Sequence, residues 1–280
     1  MALFDNSASR NPALRRSTSV YDPQQYQAMQ RQAAQSGQML PAMPTPVQAN
    51  ALTLPDVVMK TSLSLVVLIA FAVVGWNFLP NSWGVVIVAM LAALGVGIAN
   101  SVMRRVNPVL VLLYSALEGL FLGAISANFQ YYYSGTNLNP STSGLGIVGN
   151  AVLATMVVFV VTLLLYATGI IRVSAKFTRM VIIAMISYAI FGLISLFAAI
   201  MGVGQGWGFY GIGGIGIILC LFGVALAAMS LVLDFSSIQQ AIAYGVEEHE
   251  SWRFAFGLTV TLVWLYLELL RLFAILQGRN

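Results

Sequence analysis

The sequence predicts an all-α integral membrane protein: a bundle of seven transmembrane helices with a cytoplasmic N-terminus and the C-terminus outside. Three observations lead to this fold class. Hydrophobic residues make up 59% of the 280 residues and charged residues only 8%, whereas a soluble domain carries about 25% charged residues. Seven apolar runs are long enough to cross a hydrocarbon core of ~30 Å, which takes ~20 helical residues. The basic residues cluster on one side of these runs.

The first 55 residues differ from the rest and are predicted to form a flexible polar cytoplasmic tail. They are rich in Gln, Ala, Ser, Pro and Met and show no sustained apolar period. Such a composition buries too little apolar surface to offset the entropy of ordering. The first long apolar run begins near Val57, too far along for a signal peptide. The seven-helix transmembrane domain is therefore predicted over residues 56–280.

The seven runs follow one another with short connections. Only helices and closed barrels can span lipid, and runs of this length indicate helices. The spans, numbered first to seventh in chain order, are predicted at residues 58–79, 83–103, 109–129, 146–170, 180–201, 211–234 and 254–276.

Lys and Arg residues predict the orientation. Eleven lie in the tail, at the start of the first span, and in the connections after the second, after the fourth and before the seventh spans. The alternate connections, around 80–82, 130–145 and 202–210, contain no charged residue. The positive-inside rule then places the N-terminus in the cytoplasm. Because the net charge of +4 follows this topology, it does not indicate a nucleic-acid partner.

Motifs of common enzyme classes are absent from the sequence. It has no HExxH, no GxSxG and no P-loop. Gly211, Gly213 and Gly216 satisfy G-x-G-x-x-G, but a dinucleotide site needs a strand before it and a soluble βαβ unit around it. The single Cys220 lies in an apolar run and cannot form an internal disulfide. Neither an enzyme nor a tightly bound cofactor is predicted.

Four ionisable residues lie within predicted spans: Glu118, Asp234, Glu268 and Arg271. A charge at the centre of a span costs about 2.5–3.5 kcal/mol on insertion scales, and such residues usually face protein or a cavity. Small and polar residues recur every three or four positions beside them, which favours close helix packing. We therefore expect the third, sixth and seventh spans to meet around a polar core. The stripe on the third span is Ser115, Gly119 and Gly123. That on the sixth span is Gly216, Cys220, Gly223, Ala227, Ser230 and Asp234, and that on the seventh span is Gly257, Thr261, Trp264, Glu268 and Arg271.

The acids lie at different depths. Glu118 is roughly 15 Å and Glu268 roughly 21 Å from the predicted cytoplasmic end of its span, whereas Asp234 is at that end. Carboxyls in a low-dielectric interior bind protons readily and bind cations once deprotonated. Oxygen ligands suit Ca²⁺, so protons or Ca²⁺ are the expected partners, with Asp234 and Glu118 the candidate metal ligands. Three alternatives stay open: Glu268 pairs with Arg271, Asp234 is an interfacial helix end, and Glu118 is a protonated, hydrogen-bonded core carboxyl.

Three stretches carry a family resemblance: YSALEGLFLGAIS (114–126), SLVLDFSSI (230–238) and GLTVTLVWLYLELLRLF (257–273). With the seven-span plan they resemble the Bax inhibitor-1 family of transmembrane BAX-inhibitor-motif proteins, in particular a bacterial branch, over about residues 56–280. The resemblance implies a seven-helix bundle in the plasma (inner) membrane that acts as a pH-sensitive calcium leak. It also implies an alternative function, the regulation of a membrane-bound quality-control protease.

The resemblance implies roles for particular residues. Asp234 matches the sixth-helix acid of a gating pair of aspartates. Its seventh-helix partner is Glu268 if the chain is aligned on LYL, and Thr261 if it is aligned on LLR. Arg104 and Arg105 match a basic cluster that would latch the cytoplasmic side.

Overall fold

The computed structural model describes residues 51–79, 83–103, 105–134, 146–171, 173–211 and 213–277. Helices are the main regular structure of the described residues, which also contain one isolated β-bridge between Ala51 and Glu247, and seven of these helices are long and apolar enough to cross a membrane. This confirms the predicted fold class, while the orientation of the termini stays a prediction. The helices are α1 Leu54–Phe78, α2 Trp83–Val102, α3 Pro108–Ser134, α4 Gly146–Ala167, α5 Ala175–Ile200, α6 Gly213–Ala243 and α7 Ser251–Gln277.

Helix α6 departs most from its predicted bounds, since it continues nine residues beyond Asp234. Hydropathy falls after Asp234, but Phe235, Ile238 and Ala241 remain buried in the core of the bundle. Packing of this one-sided apolar face against protein keeps the segment helical. Asp234 is therefore well inside a helix and not at its end.

Helix α7 is the centre of the bundle and packs against α1, α3, α4 and α6. Helix α7 carries buried residues over most of its circumference, among them Phe256, Leu258, Thr261, Leu265 and Leu270, and a helix with this pattern is largely surrounded by protein. Polar groups on α7 are consequently held between protein surfaces.

Helices α1 and α3 approach each other so closely that their backbones leave no room for a side chain at the contact. A methyl group added at Gly119 would lie 2.3 Å from the Leu68 carbonyl oxygen, and one at Gly123 would lie 1.9 Å from that of Ala72. Gly75 on α1 meets the Leu120 carbonyl oxygen in the same way, at 2.3 Å. The small residues expected on the third span therefore form the surface against which α1 packs.

The chain enters the bundle along the connection between α6 and α7. The Leu52 backbone N–H donates to the Val246 carbonyl at 2.7 Å, and the Leu52 side chain is buried in the core. Thr53 then caps α1 in a reciprocal capping box with Asp56. We call residues 51–53 the entry segment. The predicted tail included these residues; its first 50 residues lie outside the described part of the chain.

Candidate functional site

Asp234 and Thr261 join α6 to α7. Thr261 Oγ1 donates to Asp234 Oδ2 at 2.7 Å, and it also lies 3.1 Å from the Gly257 carbonyl oxygen. Gly257 is one turn before Thr261, and a methyl group placed there would lie 4.0 Å from Asp234 Oδ1. Ala227 and Ser230, on the same face of α6, are buried, which is consistent with close helix packing.

This contact concerns the two residues of α7 that the family resemblance offered as partners of Asp234. Thr261 is hydrogen-bonded to Asp234, whereas Glu268 lies seven residues further along α7, roughly 10.5 Å away along the helix axis. Thr261 is therefore the residue of α7 that occupies the position opposite Asp234.

Glu268 and Arg271 form a buried ion pair on α7. Arg271 Nη1 lies 3.2 Å from both carboxylate oxygens of Glu268, and Trp264 Nε1 donates to Oε1 at 3.2 Å. The Glu268 side chain is 4% exposed and that of Arg271 is 28% exposed. Glu268 is thus paired with Arg271, which is one of the alternatives that the sequence left open.

Aromatic residues surround this ion pair. The Arg271 guanidinium lies 4.4 Å from the centre of the Tyr210 ring, and Tyr210 Oη donates to Tyr188 Oη at 2.8 Å. Tyr210 belongs to the short helix Gly208–Gly211 between α5 and α6. Burial raises the pKa of its phenol, which keeps the donating proton in place.

Gly223 of α6 makes room for these side chains. A methyl group there would lie 2.5 Å from Tyr188 Oη and 2.7 Å from Glu268 Cδ. The ion pair therefore faces α5, α6 and the Gly208–Gly211 helix. This corrects the expectation of one polar core shared with the third span, because the axial position of Glu268 on α7 brings it to Gly223 and Tyr188.

Glu118 stands apart from both groups. It is half-buried on α3, one turn after Tyr114, whose ring packs edge-on against Phe256 of α7 at 5.0 Å. No hydrogen bond or ion pair joins Glu118 to another residue in the described part of the chain. The alternative of a hydrogen-bonded core carboxyl therefore lacks a described partner.

Two basic residues that the sequence indicated only as markers of orientation connect helices at the end of the bundle where α7 begins. Lys60 of α1 is 8% exposed and contacts Glu248 Oε1 at 3.1 Å and Ser251 Oγ at 2.6 Å. Arg253 of α7 pairs with Glu250 and donates to the Met103 carbonyl after α2 at 3.3 Å.

The predicted latch pair is only partly described. Arg105 is exposed after α2, and Arg104 lies outside the described residues. The sequence signal that could have indicated Lys60 is a single cation at the start of an apolar span. For Tyr188 and Tyr210 there was no such signal, because aromatic residues are common throughout the chain.

Metal ions in proteins are commonly held by sets of several ligand side chains. Within the described ranges, no three His, Cys, Asp or Glu residues come together. The candidate metal ligands Asp234 and Glu118 would thus each act with hydroxyl, backbone or water oxygens, which Ca²⁺ accepts.

Comparison with known proteins adds one finding. A family model described as Bax inhibitor 1 like matches residues 11–278. No protein with a curated description matches the chain. The family match includes all seven helices and both residues of the Asp234–Thr261 contact.

Proposed function

This chain belongs to the Bax inhibitor 1 like family, and from that premise we propose that it is a membrane cation conduit, a pH-sensitive calcium leak controlled by buried carboxylates. The observation that carries the proposal is the Asp234–Thr261 contact between α6 and α7. It holds an acid at a helix interface with a neutral partner, so that deprotonation leaves a negative charge available to a cation.

The buried acids divide into two kinds. Among the described residues, Asp234 and Glu118 have no basic partner, whereas Glu268 is neutralised by Arg271. A carboxylate with a guanidinium on both oxygens attracts a passing cation weakly. We assign the gating role to Asp234 together with Thr261. Glu118 is assigned a second acidic position on the ion pathway, and Glu268 and Arg271 have a supporting role.

The pH dependence follows from the same chemistry. A protonated carboxyl is neutral and offers a cation little attraction, whereas the carboxylate attracts it. We therefore expect Ca²⁺ flux through the protein to rise with pH as Asp234 loses its proton. The Thr261 hydroxyl, which donates to Oδ2, favours the charged form and keeps the carboxylate oriented.

The test is Ca²⁺ flux into liposomes that contain the purified full chain, measured at several pH values. Asp234→Asn keeps the size of the side chain but has no titrating proton, so we expect most of the pH dependence of the flux to disappear, with Glu118 as the titratable acid that remains on the pathway. Thr261→Val removes the hydroxyl at almost constant volume and should shift the pH profile without abolishing flux.

The matched control is Glu247→Gln, which removes an exposed carboxylate from the connection between α6 and α7. Its flux and pH profile should equal those of the parent. A parent protein with no flux above that of empty liposomes at any pH would refute the conduit, and an unchanged profile in Asp234→Asn would refute the assignment of Asp234.

A second candidate function is regulation of a partner such as a membrane-bound quality-control protease. The entry segment favours it, because residues 1–50 lead directly into a segment hydrogen-bonded to the connection between α6 and α7. A partner bound to the tail would act on the helices that carry Asp234 and Thr261. Deleting residues 1–50 should then abolish capture of the protease, and retained capture would exclude the tail as its binding site.

The expected location for either function is the plasma (inner) membrane of a bacterium, with the tail and the entry segment on the cytoplasmic side. This orientation rests on the distribution of Lys and Arg residues. It places Asp234 and Lys60 nearer the cytoplasm, and the Glu268–Arg271 pair nearer the outer surface.

A further inference from the structure

A groove with a volume of about 410 Å³ runs along the outside of the bundle. Its walls come from α1, α3, α4 and α7, and we call it the four-helix groove. It is separate from the acidic residues discussed above, none of which lines it. Residues that define its extent are Leu65 and Asn77 on α1, Ser126 on α3, Val148 and Met156 on α4, and Tyr266 on α7.

Four polar side chains of the groove are hydrogen-bonded within the protein, whereas the Trp76 indole N–H, at one end of the groove, has no hydrogen bond to another described residue. Ser126 Oγ and Tyr266 Oη are hydrogen-bonded to each other at 2.7 Å. Thr155 donates to the Ala151 carbonyl at 2.7 Å and Asn77 to that of Val73 at 2.8 Å. The remaining lining is aliphatic or aromatic apart from Gly123. A polar ligand would lose its hydration there without compensation, so the groove suits an apolar occupant.

The length of the groove limits the size of its occupant. From Leu65 to Asn77 the groove follows α1 for about 18 Å. A single extended hydrocarbon chain is long and thin enough to follow it.

The position of the groove indicates the source of such a chain. All four walls are membrane-spanning helices, so its mouth opens into the hydrocarbon of the bilayer. Trp76 and Asn77 lie at one end, where α1 finishes. Trp is enriched at the boundary between hydrocarbon and headgroups, which identifies that end as the interfacial one.

We propose that the four-helix groove binds one acyl chain of a bilayer phospholipid. The glycerol end of the lipid lies beside Trp76 and Asn77, and the terminal methyl group lies near Leu65 and Leu68. The chain covers the exposed side chains of Val73 and Val152, which are 57% and 43% exposed in the protein alone.

The test uses photoactivatable phosphatidylcholine in phosphatidylethanolamine–phosphatidylglycerol vesicles that contain the full chain. One probe carries a diazirine near the glycerol and the other near the terminal methyl group. After illumination and digestion, mass spectrometry should find the first probe on peptides containing Trp76 or Val148, and the second on peptides containing Leu65 or Leu262. The reversed or an identical pattern for the two probes would overturn the proposed orientation of the lipid.

Two substitutions fill the groove from different helices: Val152→Trp on α4 and Val73→Trp on α1. Either should reduce labelling of the groove peptides severalfold, and the second preserves the test if the first fails to fold. Leu193→Trp, on the exposed side of α5 (Leu193 is 59% exposed), is the control and should leave that labelling unchanged.

Three outcomes would overturn the proposal. Labelling that follows exposure evenly over all helices indicates only the surrounding lipid. Labelling of the groove that neither Val152→Trp nor Val73→Trp reduces means that the chain is not inside it. Groove peptides that carry no lipid label but crosslink to a second copy of the protein identify the groove as a protein interface.

Discussion

At the scale of single residues, the partner of each buried carboxylate decides what that carboxylate can do. Asp234 accepts a hydrogen bond from the neutral Thr261 hydroxyl, so its charge is not cancelled. Glu268 receives a guanidinium and an indole N–H, so its charge is cancelled in place. Two acids on neighbouring helices thereby have different chemistry, although the sequence presents both as isolated charges in apolar runs.

The Glu268–Arg271 pair predicts a stability effect. Replacing Arg271 by Met leaves Glu268, 3% exposed, without its counter-charge, and removing one partner of a buried ion pair costs about 3–5 kcal/mol. Because the Arg271 side chain is 28% exposed, the lower end of that range is expected. The measurement is thermal unfolding of the purified protein in detergent.

Arg179→Met is the matched control, because Arg179 is exposed near the start of α5. The double variant Glu268→Gln, Arg271→Met should recover most of the lost stability, since it no longer buries an unpaired charge. A double variant as unstable as Arg271→Met would show that the packing of Arg271 on Tyr210 is what stabilises the protein.

At the scale of helices, the close approach of α1 and α3 predicts that a single added methyl group between them destabilises the protein. In Gly123→Ala the new Cβ would lie 1.9 Å from the Ala72 carbonyl oxygen, so the two backbones must separate. Overpacking of this kind costs about 1–3 kcal/mol or more. Gly95→Ala is the control, because a methyl group there meets no atom within 4 Å; equal stabilities of the two variants in detergent would contradict the close approach.

The burial of the entry segment predicts that substitutions of two nearby leucines differ in their effect on stability. Leu52 is 2% exposed and packs in the core between α6 and α7, whereas Leu54 is 56% exposed. Leu52→Ala should therefore destabilise the protein by about 2–5 kcal/mol, and Leu54→Ala should have little effect. Chemical denaturation of both variants measures this, and a Leu52→Ala protein as stable as Leu54→Ala would contradict the burial of the entry segment.

At the scale of the whole molecule, the predicted orientation can be tested by maleimide labelling of introduced cysteines. The chain's own single cysteine should not react. Cys220 is fully buried. Val203→Cys, between α5 and α6, should react in intact cells with a maleimide that cannot cross membranes. Tyr244→Cys, between α6 and α7, should react only after permeabilisation, and the opposite pattern would invert the topology.

The helices follow from local sequence, because the length and hydropathy of a span are properties of consecutive residues. All seven predicted spans overlap the observed helices. The largest error, the end of α6, arose where hydropathy falls but Phe235 and Ile238 still pack against protein. The end of that helix depends on a tertiary surface that no local window contains.

The sequence by itself determined that this protein is a seven-helix membrane protein, predicted its orientation, and identified the four ionisable residues within its spans. Only the tertiary structure decided which groups those residues meet. Thr261 and Glu268 lie on the same side of α7, about 10.5 Å apart along its axis, and the axial position of α6 places Asp234 beside Thr261 and Gly223 beside Glu268. That register is set by packing between residues distant in the chain, and so the pattern of either helix alone does not contain it.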